Sequence, residues 1–114
     1  IHCYSERLWT GGIVDLLYQD KDGNDVILDF KSSKDAYDSH FLQNAGYATA
    51  IAENGGFTPD GDRVLEPVVF DYYGVFPFGM DKPAPKFRTD TRSLRQGFES
   101  CVNLHKLFNH KKEK

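Results

Sequence analysis

The chain has 114 residues, 39% of them apolar and 14% aromatic, which is enough for one hydrophobic core and argues against disorder. Its net charge is −3, and it contains neither an apolar run long enough for a membrane span nor a charged-then-apolar signal segment at its start. Cys3 and Cys101 stand at opposite ends and form no metal-binding or CxxC pattern; two reduced thiols of a cytoplasmic protein is the simpler reading, beside a terminal disulfide.

In chain order, residues 1–6 read as a short strand. Gly11-Gly12 lead into a second β-like run over 12–18, which contains Asp15. Asp22-Gly23 is a turn signal, and the run Asp25–Lys31 follows, so the two runs are expected to form a hairpin with Asp15 and Asp29 on neighbouring strands. The acidic turn superficially resembles a calcium loop, but Gly23 is misplaced for one, and no helix precedes it.

A helix is predicted over 40–54, capped by Asp38 or Ser39 and stopped by Gly55-Gly56. Phe41, Ala45, Ala48 and Ala52 form its apolar stripe, while Gln43 and Tyr47 are neighbours on a different face. Residues 55–63 read as a polar loop and 66–76 as a covered central strand, with apolar residues at both parities. A proline-bearing loop over 77–87 precedes a last helix over 91–108. The expected order is β-β-β-α-β-α, an α/β (α+β) layered arrangement in a single domain spanning 1–114.

The charge is unevenly distributed. Residues 1–85 carry six Lys/Arg against fourteen Asp/Glu, and residues 86–114 carry eight against three. An acidic body with a basic end fits a carboxylate metal site beside a phosphate-binding surface, although a solvated terminal helix with a Lys-rich tail is the simpler account.

The chemistry concentrates in residues 15–47. Alternate residues of a strand share a face, so Asp29 and Lys31 point the same way, roughly 7 Å apart at the backbone. With Asp15 on the paired strand, two carboxylates and an ammonium converge. Carboxylate oxygens suit Mg²⁺ or Mn²⁺, with the Phe30 carbonyl as a third oxygen. Lys31 would sit beside the attacking water, orienting it, lowering its pKa or stabilising developing charge. Taken singly, these residues are ordinary solvated charges. Their position immediately after the apolar runs Ile13-Val14 and Val26-Ile27-Leu28 sets acids where strands enter a core, a costly placement unless they are paired or metal-bound.

Three elements occur in order: Gly12-Ile-Val-Asp15, Ile27-Leu-Asp29-Phe-Lys31-Ser32-Ser33, and Gln43-Asn-Ala-Gly-Tyr47. Together they resemble the PD-(D/E)XK nuclease superfamily, in its RecB-like branch. The resemblance is close over residues 11–47 and loose beyond them. It implies a restriction-endonuclease-like core, a mixed sheet flanked by helices, and Mg²⁺- or Mn²⁺-dependent cleavage of DNA. On that analogy Asp15 and Asp29 hold metal, Lys31 is the catalytic lysine, and Gln43 and Tyr47 organise the site and contact DNA. An exonuclease of DNA repair, recombination or phage replication, working beside a larger repair or phage protein, is the expectation by analogy. The branch carries a helix ahead of the first strand, often with a Glu or His that completes the metal site; the expectation is that this chain is truncated before it, and neither His2 nor Glu6 is given that role. The rival expectation is a nuclease-like module without catalysis that binds nucleic acid or a partner protein. A carboxylate-pair glycosidase leaves Lys31, Gln43 and Tyr47 without roles.

Among the remaining residues, Trp9 and Tyr4 are candidates for stacking on bases, with core packing the simpler reading. His105 and His110 do not share a helix face, and His40 is placed in the first helical turn rather than in a site.

Overall fold

The computed structural model describes residues 1–8 and 10–112, with the backbone alone for 109–112. The elements are β1 (His2–Ser5), β2 (Thr10–Ile13), β3 (Leu16–Gln19), β4 (Asp25–Lys31), α1 (Asp38–Asn54), β5 (Gly56–Phe57), β6 (Arg63–Leu65), β7 (Tyr72–Pro77), β8 (Lys86–Arg88) and α2 (Thr91–Lys112). They form two four-stranded sheets of order β2-β1-β5-β6 and β3-β4-β7-β8. The α+β character is as expected, but the strands are more numerous and divide between two sheets. Trp9 and the side chain of His110 lie outside the described residues.

The expected continuous strand over 12–18 is two strands. Residues 10–13 pair antiparallel with β1, whereas Leu16–Gln19 pair antiparallel with β4 in the other sheet. Val14 and Ile1 exchange backbone hydrogen bonds at 2.8 and 3.2 Å, which extends the first ladder by one pair. Asp15 then leaves that ladder, and its carboxylate, rather than a backbone carbonyl, accepts the Phe30 N–H at 3.0 Å. The chain changes sheets at the acid.

The β3–β4 hairpin turns as expected. Asp20 accepts from the Asp22 and Asn24 N–H groups, both at 2.9 Å, and Gly23 takes φ 83°. β4 and β7 run parallel, joined by the α1 crossover, with Ile27↔Tyr73 and Asp29↔Val75 in register. Residues 66–71 are not a strand. Pro67 has no N–H to give a ladder, and at the entry to β7 the Asp71 carboxylate takes the Asp25 N–H at 2.9 Å. β5, β6 and β8 are too short, at two, three and three residues, to produce a readable period.

Helix α1 begins two residues earlier than expected. Tyr37, rather than Asp38 or Ser39, is its N-cap, and the Tyr37 N–H donates to His40 Nδ1 at 3.2 Å. Gly55, at φ 82°, ends the helix. Its alanines bring it close to the sheet: Ala45, Ala48 and Ile51 are buried against Ile27, Tyr73 and Val75. Burying a side chain such as Ile27 or Ile51 contributes on the order of 1.5–3 kcal/mol. Asn44, wholly buried, donates from Nδ2 to the Gly74 carbonyl at 2.9 Å and fixes the helix over β7. On the outer side of α1, Gly46 leaves room for the Phe98 ring of α2. No helix among the described residues is long and apolar enough to cross a membrane. Cys3 is buried, Cys101 is exposed, and neither is in a disulfide.

Candidate active site

The site lies at the carboxyl end of β4, where the hairpin, the crossover helix and the sheet-switching segment meet. The Asp25 and Lys31 carbonyls accept from Asp71 and Phe78 of the β7 segment, each at 2.9 Å. Odd-numbered residues of β4 therefore turn their backbone groups toward β7, and even-numbered ones turn theirs toward β3. Phe30 is even-numbered and lies one step beyond the end of the β3 ladder. Its N–H is taken by Asp15, and its carbonyl opens on the same edge.

On the side-chain side, Asp29 and Lys31 share the face covered by α1. Asp29 is 5% exposed, and Lys31 Nζ stands 2.9 Å from its Oδ2. Nζ also donates to Gln43 Oε1 at 2.6 Å, and Gln43 Nε2 donates to Tyr47 Oη at 2.9 Å. One polar chain thus runs from Asp15 through Asp29, Lys31 and Gln43 to Tyr47. All five side chains singled out in the sequence come together, with the Phe30 carbonyl at their edge.

The two carboxyls differ in their electrostatics. Burial, followed by the neighbouring Asp15 carboxylate, pushes Asp29 up to about 6, with Lys31 working against both. Asp15 is held below the usual carboxylate range, first by a hydrogen bond from the Asp29 carboxyl and then by the Phe30 N–H and Lys31. Near and below pH 6 the pair holds one proton, on Asp29 and shared toward Asp15. Tyr47 is raised by burial and then by Asp29, which keeps its hydroxyl a neutral partner for Gln43.

The donor set fits a hard divalent cation. Asp29 Oδ2 is buried with the Lys31 ammonium 2.9 Å away, so that oxygen already faces a cation. A carboxylate offers further lone pairs beyond that one contact, which leaves it able to share a metal ion with Asp15. Asp15 and the Phe30 carbonyl supply further oxygens on the same edge. Among the described residues there is no cluster of three or more His, Cys, Asp or Glu side chains suited to a metal, so a cation here would rest on two carboxylates and retain water.

Two further residues shape the site. His40 is in the first helical turn as expected, but it is also close enough to Lys31 for that charge, after burial, to lower its pKa. The spacing His40, Gln43, Tyr47 follows one helix face and was a usable signal. Gly12, the leading glycine of the first motif, lies beneath the Tyr47 ring. Nearby, burial pushes the Cys3 thiol up to about 11, so Cys3 acts as a small packed residue rather than a nucleophile.

Comparison of the sequence with protein-family models gives no match, and comparison with curated proteins gives none.

Proposed function

We propose that this chain is a metal-dependent DNA nuclease of the PD-(D/E)XK type, RecB-like, built on a restriction-endonuclease-like core. The observation that supports this reading best is the single chain of contacts joining Asp15, Asp29, Lys31, Gln43 and Tyr47. The hairpin and the packing of α1 on β4 bring a strand-end acid, a D-x-K strand and a Q-x-x-x-Y helix to one edge, and the polar contacts among them go beyond what that packing requires. When bound, Mg²⁺ or Mn²⁺ would supply Lewis-acid stabilisation of the charge that develops on the scissile phosphate.

The protein's own groups have separable tasks. Asp15 and Asp29 offer the oxygens, and Asp29 must lose its proton to do so. The Lys31 ammonium, held between Asp29 and Gln43, orients the attacking water and stabilises negative charge in the transition state. Gln43 restricts Lys31 to that position, and Tyr47 restricts Gln43. Exonuclease action in DNA repair, recombination or phage replication, beside a larger protein, is part of this proposal by analogy.

A catalytically silent nuclease-like module that binds nucleic acid or a partner protein is the second reading. It is favoured by the carboxylate count, since among the described residues two acids face the site and no group of three or more metal-binding side chains is present. Digestion of linear and circular DNA, single- and double-stranded, with Mg²⁺, Mn²⁺ or EDTA separates the two. Cleavage that requires metal and is lost in Lys31→Ala supports the nuclease, and resistance of circles supports an exonuclease. DNA binding without cleavage under any metal supports the silent module.

A further inference from the structure

A second polar cleft, of about 280 Å³, opens between α1 and α2, and its lining includes Arg7, Glu53, Arg92, Arg95, Gln96 and Glu99. It is separate from the carboxylate site. At 3.6 residues per turn, Thr49 and Glu53 stand roughly 120° around α1 from Gln43 and Tyr47. The acids of the cleft are already engaged. Glu53 accepts from Arg7 Nε at 3.0 Å and from Ser5 Oγ at 2.5 Å, and Glu99 accepts from Arg7 Nη1 at 2.5 Å. Thr49 Oγ1 donates to the Ala45 carbonyl at 2.8 Å.

What remains uncommitted is cationic. Arg92, Arg95 and Gln96 fall at i, i+3 and i+4 of α2 and so share one face. Among the described residues neither arginine has a carboxylate partner. Arg95 Nε is buried with no acceptor among the described residues, an arrangement that costs stability and that an anion would relieve. Guanidinium forks match tetrahedral oxyanions, and the three arginines of the cleft outnumber its two glutamates.

We propose that this cleft binds a phosphate group through Arg92, Arg95 and Gln96, independently of the carboxylate site. The shared chemistry is a phosphate, either free or carried by a DNA backbone. The test is titration of the ¹⁵N-labelled protein at constant ionic strength with inorganic phosphate, and separately with an oligothymidylate lacking terminal phosphates. The readout is the Arg Nε–Hε resonances, with Arg95 assigned from its loss in Arg95→Lys. A saturable shift of the Arg95 signal, weakened about tenfold in the solvent-exposed variant Arg92→Gln and unchanged in Lys31→Ala, is the expected result. A response to phosphate alone assigns a free ligand, and a response to the oligonucleotide assigns a backbone. No saturable shift with either ligand, or the same affinity in Arg92→Gln, or loss of the response in Lys31→Ala, overturns the proposal.

Discussion

Gly12 and Tyr47 are in direct apposition: a Cβ on residue 12 would lie 2.3 Å from Tyr47 Cε1, well inside contact distance. The strand backbone therefore forms the seat on which the Tyr47 ring rests. The Tyr47 hydroxyl accepts from Gln43, and Gln43 in turn accepts from Lys31. A missing side chain on β2 thus helps to aim a lysine on β4.

Gly12→Ala should displace Tyr47 and destabilise the fold by about 1–3 kcal/mol. The thermal unfolding midpoint is the measurement. If the clash is with the ring, Tyr47→Ala made on top of Gly12→Ala should cost less than the sum of the single changes, a double-mutant coupling that simple strand disruption would not give.

Lys31→Ala should reduce DNA cleavage on the order of 10²–10⁴-fold while DNA affinity changes little. Single-turnover cleavage rates, set beside anisotropy binding in EDTA, separate the two quantities. A large loss of binding with an unchanged rate would assign Lys31 to substrate contact instead.

The pH dependence follows from Asp29. Its folded-state value of about 6 lies above the ordinary 3.8, so the folded protein holds this proton more tightly than the unfolded chain. The resulting stabilisation is complete below about pH 4 and is lost as pH rises through about 6. Asp15 is lowered and acts in the opposite sense, its contribution being present above the ordinary carboxylate range and lost on acidification. Asp29→Asn should therefore raise stability at pH 7.5 by roughly 1–3 kcal/mol and abolish cleavage. Because the proton and a cation compete for the same carboxyl, Mg²⁺ should raise the unfolding midpoint more at pH 7.5 than at pH 5.5.

Gln43→Ala releases Lys31 from its second anchor without touching either acid. Its expected effect is a 10–100-fold fall in cleavage rate, of about the size seen when a supporting hydrogen bond is lost. Tyr47→Phe, which removes only the acceptor for Gln43, should act in the same direction and more weakly. Equal rates for wild type and Gln43→Ala would show that the ion pair with Asp29 positions the lysine by itself.

The site was more legible in the sequence than the fold around it. Asp25–Lys31 was readable as a strand because it is long, β-branched and bounded by a turn whose chemistry is local to Asp20 and Gly23. Its parity alone placed Asp29 beside Lys31. The break at Asp15 was not readable, because residues 12–18 keep a strand-like composition throughout and the change of sheet depends on a distant partner, the Val14–Ile1 pairing. Residues 66–71 looked like strand for the same reason: Val68 and Phe70 are apolar because they pack on the core, not because they enter a ladder. The short strands of residues 56–57, 63–65 and 86–88 carry no period of their own, and only their neighbours define them.

The pairing of Ile1 with Val14 has a practical consequence for anyone handling this protein. The two residues exchange backbone hydrogen bonds at 2.8 and 3.2 Å, one residue from Asp15. Whatever is joined ahead of Ile1 is therefore attached beside the segment that carries the acid. A histidine run placed there would bring imidazoles that compete for the same cation. Assays that compare preparations differing at this end would be comparing different sites.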